Sequence, residues 1–402
     1  MEVKFAIGAC VCLMIWLNHF CRDGIGALSL AIMEGYDISS GTFTMLTGTF
    51  FMPSLVVPFV AGLVSTKIGA PMTILITMTI FAIANVLVGC SAGVFMSVPL
   101  LSLGRLMHGM VYEVIDTIPP FALMFPLFPG NFGTVLGIVA FCFRSSSLAA
   151  FAYLPWVNAS QGLASAMAGY QVAGIFGLGV GVTVLALACN KLPEQARPPM
   201  TDIKEAARNL CTLSYSSWTV SVGCKYGVLA PLWFIGEEYL VLRHPGMSAE
   251  QAALNLLAPE VAYGLVALPL GIAIDHFRWS LPLRLRIAVC GQLIVAGSYV
   301  ALEMGYEPWV CMVALACSWS VARVCALVGF KDLVPKGSES LASGMQGSAM
   351  NVIPALALTT NILNPHRWYV MYLLAGLAVV GAGADAVCSF ALPASLTKSE
   401  MV

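Results

Sequence analysis

Apolar residues fill this chain in long runs separated by short polar turns. About 20 consecutive apolar residues in a helix cross the hydrocarbon core of a bilayer. Runs of that order predict spans at Phe5–Met33, Phe43–Val64, Pro71–Gly89, Val94–Met124, Phe132–Tyr153 and Ala166–Cys189. After a polar interval, six more follow at Leu213–Ile235, Ala252–Ile274, Leu283–Leu302, Trp309–Val328, Leu341–Leu363 and Tyr369–Leu392. The interval Asn190–Cys211 carries two adjacent prolines and an amphipathic tail. It predicts a loop that ends in a short helix on the membrane surface. The chain therefore reads as an all-α membrane protein with 12 transmembrane helices in two six-helix bundles, residues 1–190 and 212–402, joined by a cytoplasmic linker at 191–211.

Composition sharpens this picture. Of 402 residues, 59% are hydrophobic and 10% charged, and the mean hydropathy is +0.87. A soluble domain carries roughly 25% charged residues, so the solvent for this chain is lipid. The net charge of −1 argues against nucleic acid as a partner. The 13 cysteines, Cys10, Cys90, Cys142, Cys189 and Cys317 among them, are scattered without CxxC or metal-ligand spacing. They read as small buried hydrophobes. No catalytic triad, metal cluster or phosphate loop is visible, so neither an enzyme nor a cofactor is expected. The first apolar run is too long for a cleaved signal peptide and closes on no small-residue cleavage site.

Lys and Arg set the expected orientation. With both termini in the cytoplasm, Lys4, Lys67, Lys191, Arg197, Lys204, Arg208, Arg278, Arg284, Arg286, Lys331, Lys336 and Lys398 fall on that side. Only Arg243 and Arg367 fall opposite. The outer loops carry acids instead, Glu34, Asp37, Glu237, Glu238, Glu303 and Glu307.

The chemistry concentrates between Gly104 and Arg144. A charge at the bilayer centre costs about 2.5–3.5 kcal/mol on insertion scales, so charges there are either paired for structure or used on a ligand. Glu113 and Asp116 are three residues apart and share a helix face. Glu113 and Arg144 lie on consecutive spans. An acid facing a base suits the two ends of a small zwitterion, since a carboxylate grips an ammonium and a guanidinium fork grips a carboxylate. A buried salt bridge that only fixes packing remains the competing reading. Further candidates are Asp23 beside Arg22, Tyr112, Lys225, Tyr226, Trp233 and Arg323. Glu260 offers a counter-charge to Lys225, His19 and His108 offer proton sites, and Arg105 and Asp385 read as structural.

Two stretches at corresponding places repeat a pattern: Gly62–Gly69 (GLVSTKIG) and Gly271–Arg278 (GIAIDHFR). Both resemble the loop G-x-L-x-D-R-x-G between spans two and three of the major facilitator superfamily. Thr66 replaces its Asp in the first copy, and Asp275 keeps it in the second. Along most of its length the chain also resembles the lysosomal dipeptide transporters of the major facilitator superfamily domain-containing protein 1 family. The resemblance rests on FCRDGIGALS, on Gly104, Arg105, Gly109 and Glu113, on Arg144 in FCFRSSS, and on Pro335 with SGMQGSAMN. It implies a dipeptide uniporter with an accessory membrane glycoprotein as partner; the two-bundle layout leads us to expect a monomer working by alternating access around one central site. Glu113 would take the peptide amino end and Arg144 its carboxylate. The chain departs from that family at Val111 and Tyr112, which replace glycines, at Arg22, which replaces Tyr, and at Lys225. The family's acidic dileucine is missing, so the expected membrane is lysosomal, endosomal or plasma. The sequon at Asn158 lies too close to the membrane for modification to be expected. Two alternatives stay open. One is a proton-coupled carrier of a sugar or organic cation, with Glu113, Asp116 and Asp23 as proton acceptors. The other is a non-transporting receptor or partner subunit with this fold.

Overall fold

Within the described residues, each apolar run is mainly helix in the computed structural model, which describes residues 3–92, 96–191, 202–230, 232–360 and 369–392. The helices are α1 (Val3–Ala27), α2 (Ser29–Gly35), α3 (Ser40–Phe51), α4 (Val57–Ile68), α5 (Ala70–Cys90), α6 (Val98–Ile118), α7 (Phe125–Leu127), α8 (Phe132–Gln161) and α9 (Leu163–Lys191). After them come α10 (Ile203–Leu210), α11 (Leu213–Leu229), α12 (Leu232–Arg243), α13 (Ala249–His276), α14 (Leu281–Glu303), α15 (Pro308–Val328), α16 (Phe330–Leu333), α17 (Glu339–Thr360) and α18 (Val370–Phe390). The described residues contain no strand. Helix is what lipid demands, because every backbone N–H and C=O must find its partner within the segment.

Ten helical stretches among the described residues are long and apolar enough to cross a membrane. The other two expected spans differ for identifiable reasons. The seventh divides into α11 and α12, with Pro231 between them in the sequence. A proline biases the preceding residue away from helix and donates no hydrogen bond. The eleventh, α17, opens on the polar run Glu339–Asn351, which lowers its hydropathy. Prolines also interrupt the second span, where a 3-10 turn at Pro53–Leu55 separates α3 from α4. In the fourth, a π-helical turn over Pro119–Met124 follows α6. Side chains cap several starts: Ser97 accepts from the Leu100 N–H before α6 and Thr212 from Tyr215 before α11. Ser248 and Gln251 form a reciprocal capping box at α13. The amphipathic tail of the central loop is α10; residues 192–201 of that loop lie outside the described residues.

The chain forms two compact units. The first comprises Met1–Phe128, Cys142–Ala206 and Lys336–Ser348. In it α5 packs on α6 and α9, and α1 packs on α6 and α9. The second comprises Pro129–Phe141, Ala207–Pro335 and Ala349–Val402, built on α14 against α15 and α18, α11 against α18, and α13 against α15. Each unit thus takes the first part of one helix, α17 or α8, from the other half of the sequence.

The repeated Gly-led stretches hold those borrowed segments. In the first unit, a Cβ on Gly62 would sit 2.6 Å from the Ser340 carbonyl oxygen of α17. In the second, a Cβ on Gly271 would sit 2.1 Å from the Gly133 carbonyl oxygen of α8. Neither position admits a side chain, because the obstacle is backbone. Asp275 then binds the start of α8. It accepts from the N–H of Gly133 (3.1 Å), the N–H of Thr134 (2.6 Å) and the Thr134 hydroxyl (2.9 Å). The two N–H groups are unpaired donors at the positive end of a helix dipole, where a carboxylate is stabilising. Thr66, at the matching place in the first copy, turns its hydroxyl to Gly62 of its own helix (2.9 Å). The Asp latch is therefore built in one copy only. Gly271→Val is expected to lower the melting temperature of the purified protein markedly, overpacking costing about 1–3 kcal/mol. Gly297→Val is the control, since a Cβ there meets nothing within 4 Å; equal effects of the two would contradict the close approach.

Candidate functional site

The first unit carries a buried polar network inside helices that are otherwise apolar. It begins on α1, where Asn18, His19, Arg22 and Asp23 repeat at the helical spacing of four and so share a face. That face meets α6. Asn18 donates from Nδ2 to Asp116 Oδ1 (2.9 Å) and to the Tyr112 carbonyl (3.0 Å). His19 Nε2 lies 2.8 Å from Asp116 Oδ2. His108 Nε2 donates to Asn18 Oδ1 (3.0 Å). Both Asp116 oxygens are therefore engaged by α1, and Asn18 bridges Asp116 and His108.

A second branch starts at Arg22. Its Nε donates to Asp23 Oδ1 at 2.5 Å, and its Nη1 donates to the Tyr112 hydroxyl. The guanidinium carbon also sits 5.2 Å from the centre of the Tyr112 ring. Asp23 accepts a further bond of 2.5 Å from the Ser147 hydroxyl of α8. Phenol and guanidinium thus join the α1 pair to α6, and a serine joins it to α8. Gly109 permits the packing of α6 on α3, since a Cβ there would meet the Phe50 carbonyl oxygen at 1.9 Å. Arg105, one turn earlier, places its guanidinium 4.2 Å from the centre of the Phe50 ring. That is a cation–π contact in a desolvated setting.

Glu113 and Arg144 are buried in this same unit, at 2% and 3% exposure. Glu113 Cγ lies against Gly347, where an added Cβ would approach it to 3.1 Å. Of the residues singled out from the sequence, the structure links Asp23, Tyr112 and Asp116 through Arg22, Asn18 and His19. Asn18 and Ser147 are additional members that the sequence reading passed over. The signal for Asn18 was its place four residues before Arg22.

The remaining candidates lie in the second unit. Lys225 is 1% exposed and forms an ion pair of 2.5 Å with Asp385 of α18. Ser221 donates to the other Asp385 oxygen (2.6 Å), and Lys225 also bonds the Ser221 hydroxyl. The counter-charge of Lys225 is therefore Asp385 rather than the Glu260 suggested by sequence. Arg323 sits among three rings, 5.2 Å from the centre of Tyr226, 5.4 Å from Tyr263 and 5.1 Å from Trp319. Trp319 is held in turn by its indole N–H, which donates to the Lys225 carbonyl (2.6 Å). Trp233 belongs to α12, and its side chain lies outside the described residues.

No family model matches this chain, and no curated protein matches it. Solved structures do. A bacterial homologue of the iron transporter ferroportin, in an outward-facing state, aligns with a TM-score of 0.78 and 11% identity, over 96% of this chain and 98% of that one. The proton:xylose symporter XylE, bound to 6-bromo-6-deoxy-D-glucose, aligns with a TM-score of 0.72 and 14% identity, over 96% and 94% of the two chains. The human organic anion transporter TETRAN aligns with a TM-score of 0.71 and 13% identity, over 98% and 100%. Identities this low speak to architecture, and they agree with the helix order and the expected spans: the chain has the major facilitator superfamily fold.

Proposed function

We propose that this chain is a membrane transporter that moves a small zwitterionic solute, a dipeptide or an amino acid, by alternating access. The observation that carries the reading is the set of buried and part-buried charges in the first unit. Arg22, Asp23, Glu113, Asp116 and Arg144 are acids and bases placed at depth in apolar helices. Such charges are costly in a membrane and mark ligand paths. Charges of both signs suit a cargo with an ammonium and a carboxylate. The fold supports the reading, since the solved neighbours are named as carriers of xylose, organic anions and iron. In this reading Arg144 takes the carboxylate and Glu113 the ammonium. Val111 and Tyr112, which stand where the resembling family has glycines, favour small side chains on the cargo in this reading. The chain works as a monomer, with residues 1–190 and 212–402 as its two bundles. Both termini face the cytoplasm, where most Lys and Arg fall.

Thermal-shift measurements on the detergent-purified protein test this. Short dipeptides are expected to raise the melting temperature, and the same dipeptides with an acetylated amino end or amidated carboxyl end are not. Stabilisation by sugars alone would contradict it.

The contact of His19 with Asp116 favours a second reading, proton-coupled transport. The two are separated by measuring uptake into vesicles before and after the pH gradient is collapsed. Uniport predicts no change. Coupling predicts loss of accumulation, and Asp116→Asn then leaves only pH-independent flux.

A further inference from the structure

The second unit contains an open cavity of about 420 Å³ that the transport network does not use. It lies between the α13–α14 turn and the α16 turn, and its lining includes Asp275, Arg278, Trp279, Arg284, Lys331 and Asp332. Three cations face two acids there, and both acids are already engaged by the fold. Asp275 accepts the three donors at the start of α8. Asp332 is paired with Arg284. The cations are less well served. Lys331 Nζ reaches Asp275 only at 3.9 Å, beyond hydrogen-bond distance. Arg278 is exposed and has no ion-pair partner among the described residues. Arg284, 1% exposed, uses Nε on the Ser280 carbonyl (3.3 Å) and Nη2 on Asp332, while its Nη1 makes no hydrogen bond.

The backbone points the same way. Arg278 has φ +49°, in the left-handed region that side chains rarely adopt. Gly69 holds the corresponding place in the first Gly-led stretch, at φ +83°. The turn calls for glycine, and the second copy puts arginine there. Strain held at one residue needs a compensating use.

We propose that this cavity binds a phosphate group. Arg278 and Lys331 contact its oxygens, the first as a fork and the second as a point charge, and the lining as a whole holds one more cation than acids. The phosphate belongs either to the headgroup of an anionic lipid or to a soluble phosphate ester. Phe277 and Leu283, exposed beside the cavity, offer apolar surface on which acyl chains can lie.

The test is the melting temperature of the full chain in neutral detergent. The probes are dioctanoyl phosphatidylglycerol, zwitterionic dioctanoyl phosphatidylcholine, and glycerol 3-phosphate. Phosphatidylglycerol is expected to raise it by several degrees and phosphatidylcholine is not. Glycerol 3-phosphate acting as strongly as phosphatidylglycerol identifies a soluble ester as the source; no effect from it identifies a lipid headgroup. The variant Arg278→Gly with Lys331→Gln is expected to lose the rise. Arg278→Gly alone is expected to melt no lower than the parent, because glycine removes the strain, so loss of binding is not loss of folding. Equal responses to the two lipids, no response to any phosphate compound, or a rise that survives in the double variant would each overturn the proposal.

Discussion

Arg144→Ala abolishes binding of an intact dipeptide, while a dipeptide with a blocked carboxyl end, already weak on the parent, binds no worse. This is the largest effect expected. The Arg144 side chain is buried at depth in α8, where a charged hydrogen bond is not screened by water. Truncating one partner of such a pair costs about 2–5 kcal/mol, which is roughly 30-fold to several-thousand-fold in affinity. Arg144→Lys restores only part of it, because an ammonium keeps the charge but loses the planar fork. Isothermal titration or thermal shift reads the difference. The blocked dipeptide separates loss of carboxylate recognition from general damage to the site, which would weaken both ligands. Unchanged affinity for the intact dipeptide would remove Arg144 from the proposed cargo site.

Asp385→Ala is expected to destabilise the second unit more than any other polar substitution in it. Lys225 and Asp385 are 1% and 0% exposed. Removing the carboxylate leaves a lysine ammonium buried with only the Ser221 hydroxyl, and breaking a buried pair costs about 3–5 kcal/mol. Replacing both residues, with Lys225→Met and Asp385→Leu, removes the uncompensated charge and should recover most of the loss, since apolar replacements of buried pairs are often neutral. Melting temperatures of the single and double variants complete the cycle. The double variant also separates two roles of Lys225. If the pair only fixes packing, the double variant folds and still binds dipeptide. If Lys225 touches the cargo, it folds and does not bind. A double variant no more stable than Asp385→Ala would show that the ammonium was not the cost.

The spans were legible because lipid imposes a length and a polarity on every crossing segment, and apolar runs of that length recur along the chain. Their interruptions were less legible. Hydropathy reads α3 and α4 as one run and α11 and α12 as another, whereas the backbone separates them near Pro53 and at Ala230. The polar network was legible where its partners are adjacent. Arg22 and Asp23 are neighbours in sequence and pair in space. It was not legible where partners come from distant helices. Asn18 and His19 lie almost a hundred residues from Asp116, and Lys225 lies 160 from Asp385. Each charge could be noticed as out of place in lipid, but only the packing decides which charge meets which. Asn18 escaped notice because it is uncharged and stands inside an apolar stretch. Arg278 shows the reverse case. Its alignment with Gly69 was visible in the sequence, and the positive φ gives that alignment a physical meaning.

Uptake into proteoliposomes tests the central claim most directly. The purified chain is reconstituted, and entry of a radiolabelled short dipeptide is compared with entry of its acetylated and amidated forms and of xylose. Saturable uptake of the free dipeptide, absent for both blocked forms and for xylose and lost in Arg144→Ala, is the predicted result. Uptake of xylose but not dipeptide, equal uptake of blocked and free peptides, or no uptake above empty liposomes would contradict a zwitterion carrier.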